Sequence, residues 1–123
     1  MAEDNPINQR VGMLILKRAG FLIDVVSDGH EAVEAHVADP YDVILMDCQM
    51  PAMDGFEASR QIRSLKLKQP VIIAVTANAL AGERERCLGA GMDDYLSKPF
   101  QAEQLVAVVK KWTSPDAASA ASR

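Results

Sequence analysis

Aromatic side chains and long hydrophobic runs are both scarce in this chain. Phe, Trp and Tyr supply only 5% of its 123 residues, whereas 49% of all residues are hydrophobic. We therefore expect a mostly aliphatic core within one domain of ordinary globular size. The longest apolar stretches, such as Val71–Val75, fall far short of the roughly 20 residues that a membrane-spanning helix needs. Because the N-terminus is acidic rather than signal-like, we expect a cytoplasmic domain without direct membrane contact.

Positive charge is also in short supply. The chain has 13 Lys and Arg residues against 17 Asp and Glu residues, which gives a formal net charge of -4. A nucleic-acid groove needs clustered positive charge to displace counterions from the phosphate backbone. We therefore expect no nucleic-acid partner.

Cysteine is limited to two residues, and neither belongs to a CxxC pair. Zinc sites and redox motifs usually place cysteines at such short spacing. Cys48 and Cys87 are therefore interpreted as small, buried apolar residues of a protein in a reducing compartment. The sequence predicts neither a disulfide framework nor a cysteine metal site.

Helical and strand patterns alternate along the chain. Asn5 is placed to cap the first helix, with Pro6 at the first helical position, where its missing N–H costs nothing. Asp54 with Glu57 resembles a capping box at a later helix. The patterns predict helices at 6–19, 29–38, 54–65, 80–88 and around 105–112, and strands at 22–26, 41–47, 71–76 and around 95–96.

The order of these elements predicts the fold class. Strands that are apolar on both faces and separated by single helices indicate a parallel sheet covered on both sides, with right-handed crossovers. We therefore predict a doubly wound α/β domain over residues 1–112. Residues 113–123 are rich in Ala and Ser and are predicted to form a flexible tail.

Polar residues stand where the predicted strands end. Asp47 terminates one apolar run, Thr76 closes the next, and Lys98 follows the last strand, while Glu3 and Asp4 precede the first helix. Ligands of open parallel sheets bind at this edge. Neighbouring carboxylates there can share a Mg²⁺ ion, and Lys98 would keep Asp47 ionised as a nucleophile. The pattern is typical of a phosphoryl-transfer site.

Four segments carry a family resemblance: EDNPINQRV (Glu3–Val11), DVILMDCQMPAMDGFE (Asp42–Glu57), VIIAVTANAL (Val71–Leu80) and AGMDDYLSKPF (Ala90–Phe100). Together they resemble the receiver domains of two-component response regulators, and most of all those of hybrid sensor histidine kinases. The resemblance implies a flavodoxin-like (βα)5 fold with strand order 2-1-3-4-5. It also implies a phosphorelay in which a histidine kinase or a histidine phosphotransfer domain is the partner.

The resemblance assigns roles to individual residues. It makes Asp47 the phosphoacceptor, with Lys98 and Thr76 as its catalytic partners and the backbone at Gln49 and Ala77 binding the phosphoryl group. The Mg²⁺ ligands would be Glu3, Asp4, Asp47 and the carbonyl of Gln49. Thr76 and Tyr95 would form the switch pair that responds to phosphorylation. From the residues alone, Glu3 and Asp4 could instead merely favour the positive end of the first helix, and Tyr95 could be an ordinary strand tyrosine.

The first strand of the family pattern is largely missing. Receivers carry about five apolar residues before the acidic pair, whereas only Met1 and Ala2 precede Glu3 here. In the family order this strand is central, so its loss leaves unpaired backbone along both neighbours. We therefore expect a receiver truncated within its first strand, compensated by a shifted strand or by a strand-exchanged oligomer.

Three functions are compatible with this pattern. The first is a phospho-accepting module that catalyses only its own phosphorylation and dephosphorylation. The second is a binding-only pseudo-receiver, which the absent strand favours. The third is an aspartyl-phosphate phosphatase, a family that expects a second Asp two residues after the nucleophile, where this chain has Gln49.

Overall fold

The structure is a computed structural model that describes residues 1–48, 50, 53–66, 69–77, 81–98 and 100–113. It has five helices and three strands within these residues. The helices are α1 (Pro6–Arg18), α2 (Gly29–Ala38), α3 (Gly55–Ser64), α4 (Ala81–Gly89) and α5 (Ala102–Thr113), and the strands are β1 (Val43–Asp47), β2 (Val71–Thr76) and β3 (Asp94–Ser97). The predicted tail begins inside α5 at Thr113, and its remaining residues lie outside the described part of the chain.

The predicted capping residues are found at the N-termini of α1 and α3. The Asn5 side chain accepts hydrogen bonds from the backbone N–H groups of Ile7 and Asn8 at the start of α1. Asp54 accepts from the N–H of Glu57 at the start of α3, at 2.9 Å. These bonds satisfy helix N–H groups that have no partner within the helix. At the other end of α1, Gly20 follows with a φ of 94°, a conformation that favours glycine.

The three strands form one parallel sheet in the order β1-β2-β3. Asp47 of β1 is the register partner of Val75 of β2, and Thr76 of β2 is that of Ser97 of β3. Apolar side chains are buried on both faces of this sheet: Met46, Ile72 and Ala74 belong to one core cluster, and Leu45, Ile73 and Val75 to the other. The prediction of a parallel sheet covered on both sides is confirmed.

The remaining part of the sheet is reduced to single contacts. Ala2 forms isolated parallel bridges with Val26 on one side and with Met46 on the other. In space, the order is therefore residues 22–26, residues 1–3, β1, β2 and β3, which is the expected 2-1-3-4-5. The strand predicted at 22–26 does not form, and only Val26 is bridged, because Met1–Glu3 offers too little backbone for it to pair with. Strand exchange between chains stays a prediction.

The helices are short relative to a bilayer. Within the described residues, the structure contains no helix whose length and apolar character would suffice for a membrane crossing.

Candidate functional site

The predicted site residues gather at the carboxyl-terminal edge of the sheet. Asp47 is the last residue of β1, Thr76 is the last residue of β2, and Lys98 follows β3 directly. Glu3 reaches the same edge because the N–H of Glu3 donates to the Val26 carbonyl and holds the short first segment in the sheet. Glu3 and Asp47 are buried, with 2% and 5% of their surface exposed, whereas Asp4 is exposed.

Lys98 joins two of these carboxylates. Its Nζ lies 2.9 Å from Asp47 Oδ2 and 3.0 Å from Glu3 Oε1. The backbone of Lys98 is held in turn, because its N–H donates to the Thr76 carbonyl at 2.7 Å. Charge-assisted hydrogen bonds of this length are strong when they are shielded from water. Lys98 therefore compensates two buried negative charges at once.

The charges of this cluster are mutually stabilised. Burial by itself would raise the pKa of Glu3, but the N–H of Asn5 and the ammonium of Lys98 hold that pKa below its ordinary value. Burial would lower the pKa of Lys98, but the carboxylates of Asp47 and Glu3 raise it above its ordinary value. Both groups therefore keep their charge at neutral pH.

Three carboxylates at this edge fit a hard divalent cation. Each of Glu3, Asp4 and Asp47 offers an oxygen atom, and these atoms all lie within 4.8 Å of one another. Mg²⁺ prefers such oxygen ligands and usually keeps several waters besides one or two carboxylates. The exposure of Asp4 leaves the cluster open to solvent on one side. The three carboxylates of the predicted donor set therefore lie close together.

Thr76 and Ala77 stand beside the carboxylates. Thr76 is buried, with 3% of its surface exposed, and it directly follows Val75, the register partner of Asp47. Ala77 comes next and is exposed at the edge of the sheet. Gln49, the predicted metal and phosphate contact, lies outside the described residues, so its predicted role is not placed.

Tyr95 lies half-buried on β3. It packs against the core cluster on the α3 side of the sheet, and the Arg84 guanidinium of α4 lies 5.9 Å from the centre of its ring. Such a cation–π contact contributes a modest stabilisation at a partly exposed site. The Tyr95 ring therefore links β3 to α4, a contact that the sequence pattern did not predict.

Two supporting residues also escaped the sequence analysis. Gln9 donates a side-chain hydrogen bond to the backbone carbonyl of Glu3 and another to Ser27 Oγ at 3.3 Å. Gly55 packs so closely that an added Cβ would collide with the backbone carbonyl of Asp47. For Gln9, the only indication in the sequence was its position one turn into α1. For Gly55, it was its place in the segment MDGFE.

Behind Asp47 lies a pair of buried thiols. The Sγ atoms of Cys48 and Cys87 are 4.0 Å apart, and 1% and 2% of the surfaces of the two residues are exposed. Burial raises the pKa of both thiols, so both stay protonated at neutral pH. The sequence-based interpretation of these cysteines as buried packing residues agrees with this environment.

Comparison with known proteins identifies the family. The family model described as "Response regulator receiver domain" matches residues 1–110. Hybrid signal transduction histidine kinase B of Dictyostelium discoideum is 41% identical over 124 residues, which cover 90% of this chain and 6% of that protein. Signal transduction histidine-protein kinase BarA of Escherichia coli is 45% identical over 104 residues, which cover 84% of this chain and 11% of that protein. The chain thus spans a small fraction of these curated relatives.

Solved structures agree with this match. The receiver domain of sensor histidine kinase PA1611 from Pseudomonas aeruginosa, which has a magnesium ion coordinated in its active site cleft, is 46% identical with a TM-score of 0.83. That match covers 90% of this chain and 92% of the other. The receiver domain of Saccharomyces cerevisiae Ssk1, crystallised with the histidine phosphotransfer protein Ypd1, gives a TM-score of 0.86 at 28% identity, covering 94% and 88% of the two chains.

The parallel α/β fold and these matches indicate the same family. The chain therefore belongs to the response regulator receiver domains of two-component signal transduction, and its curated relatives include hybrid histidine kinases.

Proposed function

We propose that this domain accepts a phosphoryl group on the carboxylate of Asp47 from the phosphohistidine of a partner. The observation that carries the proposal is the position of Lys98, whose ammonium contacts both Asp47 and Glu3 at the sheet edge. A carboxylate kept charged by a neighbouring cation is a competent nucleophile toward phosphorus. Its burial limits the access of water that would compete for the phosphoryl group.

The transfer exchanges one bond to phosphorus for another. A carboxylate oxygen of Asp47 forms the new P–O bond as the P–N bond to the partner imidazole breaks, and the imidazole leaves with a proton from solvent. Attack of water on the resulting acyl phosphate later releases inorganic phosphate and restores Asp47. Alternatively, the phosphoryl group is transferred to a second histidine, which also restores Asp47. The domain thereby catalyses only its own phosphorylation and dephosphorylation.

Glu3, Asp4 and Asp47 are the side chains that would hold Mg²⁺, as the described donor set allows. When bound, the ion supplies positive charge that offsets the negative charge of the phosphoryl oxygens. The Lys98 ammonium supplies a second positive charge. The Asn5 N–H and the Gln9 side chain hold Glu3 in place by hydrogen bonds. We assign the backbone at Ala77 and Gln49 to binding of the phosphoryl oxygens.

We assign the response to phosphorylation to Thr76 and Tyr95. The added group carries about -1.5 to -2 charges, and the buried hydroxyl of Thr76 ends the strand beside Asp47. Movement of Thr76 toward the phosphoryl group would free space on the face where Tyr95 packs. Tyr95 would then exchange its contact with Arg84 for a more buried position, which changes the surface between β3 and α4.

A histidine phosphotransfer domain or the kinase itself is the proposed partner. The partner has to bring its histidine to the edge where α1 begins, and α1 exposes an apolar stripe of Ile7, Val11 and Leu14. These residues are 72%, 46% and 52% exposed and recur at helical spacing. An exposed apolar stripe next to an active site is typical of a protein-binding surface.

The proposal is tested with a small phosphodonor. Incubation with acetyl phosphate and Mg²⁺ should give one labile phosphoryl adduct per chain by intact mass spectrometry. Asp47→Asn should abolish the adduct, whereas Asp39→Asn, a matched change at the exposed residue that ends α2 and precedes β1, should leave it intact. A folded protein without an adduct would indicate the binding-only pseudo-receiver, and repeated turnover of a phosphate ester would indicate the phosphatase.

A further inference from the structure

Two buried thiols and a carboxylate meet between the end of β1 and α4. The Sγ atoms of Cys48 and Cys87 and a carboxylate oxygen of Glu83 all lie within 4.8 Å of one another. The two cysteines are 39 residues apart in the chain, so their spacing predicted no metal site, but the fold brings them together. None of the three side chains has a part in the proposed phosphoryl transfer.

The three ligand atoms are carried by backbone that is held in place. Cys48 directly follows β1; its N–H donates to the Val75 carbonyl, and its carbonyl accepts from the N–H of Gly55. Glu83 and Cys87 are four residues apart on α4, so their side chains lie on the same face of the helix. Ligands on regular elements are positioned more precisely than ligands on loops. The cluster is therefore largely preformed.

The distance between the sulfurs suits a shared zinc ion. Zn–S bonds are about 2.3 Å long, so two sulfurs on one tetrahedral ion stand about 3.8 Å apart. The Sγ atoms of Cys48 and Cys87 are 4.0 Å apart. A disulfide bond of about 2.05 Å would instead require them to approach by about 2 Å. Two packed thiols also lie at the observed distance, so the third group, Glu83, is the observation that points to a cation.

The Glu83 carboxylate lies against the thiols without a cation to compensate it. Among the ion pairs formed by the described residues, none includes Glu83. The two cations of α4, Arg84 and Arg86, lie over the rings of Tyr95 and Phe56, at 5.9 and 4.1 Å from the ring centres. Carboxylates removed from water are usually paired or coordinate a metal. Glu83 is only half-buried, so the cluster keeps a route by which an ion can enter.

From these observations, we propose that Cys48, Glu83 and Cys87 bind a zinc ion, with water as the fourth ligand. Two Zn–S bonds form as the two thiol protons leave to solvent, and a Glu83 oxygen supplies the third protein ligand. The sulfur ligands distinguish this site from the carboxylate cluster at the sheet edge, because Mg²⁺ is bound by oxygen ligands. The ion fastens α4 to the residue after Asp47, and its binding does not depend on phosphorylation.

The test titrates the reduced chain with Co²⁺, a coloured substitute for Zn²⁺, while a large excess of Mg²⁺ occupies the carboxylate cluster. One equivalent of Co²⁺ per chain should produce the near-ultraviolet absorption of thiolate-to-cobalt charge transfer, which oxygen and nitrogen ligands do not give. One equivalent of Zn²⁺ should then displace the cobalt and abolish this absorption band. Zinc should also raise the melting temperature of the chain, since it binds the folded state.

Matched variants separate coordination from packing. Glu83→Gln should weaken Co²⁺ binding at least about tenfold but keep the thiolate band at saturating cobalt. Glu85→Gln, at an exposed position of the same helix, should change neither the affinity nor the band. Cys87→Ala should abolish the band, and circular dichroism checks that this variant is folded. If it is not, the two glutamate variants decide the outcome.

Three results of these titrations would overturn the proposal: no thiolate band in the folded, reduced chain, a band that survives Cys87→Ala in the folded variant, or equal weakening in the two glutamate variants. Half an equivalent of cobalt per chain, with dimers by sedimentation, would overturn it as well, because the thiols of two chains would then share the ion.

Discussion

The sheet of this protein has a complete half and an incomplete half. In β1 and β2 most apolar positions are buried, residues such as Ile72 and Ile73 completely, and β3 is partly buried beside them. Residues 1–3 and 21–26 occupy two strand positions but share few contacts: the Ala2–Val26 bridge and the backbone hydrogen bonds that join Met1 and Glu3 to Asp24 and Val26. Three of the site residues nevertheless come from the complete half, and Glu3 needs only one bridged residue to join them. The few backbone contacts of residues 1–3 are thus sufficient to place the Glu3 carboxylate beside Lys98.

The largest expected effect is the difference in stability between matched isoleucine variants in the two halves. Ile72→Ala should destabilise the protein by about 3–4 kcal/mol, because it leaves a cavity in a fully buried position. Ile23→Ala, the same change in the incomplete half, should cost less than about 1.5 kcal/mol, because Ile23 is only partly buried. Urea denaturation measures both values. Similar losses for the two variants would mean that the halves are equally well packed.

A smaller effect is expected at Lys98, whose ammonium contacts Glu3 of the incomplete half and Asp47 of the complete half. Lys98→Met should cost about 1–3 kcal/mol, because Glu3 and Asp47 are buried and lose their shared cation. Added Mg²⁺ should therefore raise the melting temperature of the variant by more than it raises that of the unaltered protein. Lys110→Met, on α5, serves as the control. If Mg²⁺ raised the melting temperatures of Lys98→Met and of the unaltered protein equally, Lys98 would not be compensating these carboxylates.

The pH dependence of stability tests the contact between Glu3 and Lys98. The folded state lowers the pKa of Glu3 below its ordinary value of 4.5, so the carboxylate contributes stability that is fully present above pH 4.5. That contribution is lost as the pH falls through the lower pKa of the folded state. Glu3→Gln should flatten this acid limb, whereas Glu34→Gln on the exposed part of α2 should not. Thermal melts at a series of acidic pH values would detect the difference.

The smallest effect on stability is expected at the surface of α1. Val11→Glu should change the free energy of unfolding by less than about 0.5 kcal/mol, because Val11 is half exposed. It should also leave phosphorylation by acetyl phosphate unchanged, but slow phosphotransfer from a histidine phosphotransfer domain. Val37→Glu, an equally exposed change on α2, is the control. Equal transfer rates for the two variants would place the partner elsewhere.

Sequence patterns predicted the complete half more accurately than the incomplete one. β1 and β2 form where continuous apolar runs predicted buried strands, and α1 begins at its predicted cap. The run at 22–26 has the same β-branched character, yet it forms only one bridge. A strand needs a partner as well as a suitable composition, and the composition of a segment carries no information about the backbone beside it.

The candidate site shows the same division. Asp47, Thr76 and Lys98 were predicted from their places after apolar runs, because parallel strands end at one edge. That Lys98 contacts Glu3, 95 residues away in the chain, could not be predicted from spacing. The supporting roles of Gln9 and Gly55 were invisible for the same reason, since each depends on which backbone atoms lie next to it in space.

By itself, the amino-acid sequence determined the alternation of helices and strands, the parallel sheet with two apolar faces, and the residues that stand at the strand ends. These properties are local, because they follow from periodicity, capping and turn chemistry within a few residues. The tertiary structure alone decided that Lys98 bridges two buried carboxylates and that Ala2 lies between Val26 and Met46. Both depend on the register and spacing of segments far apart in the chain, which only their packing against one another defines.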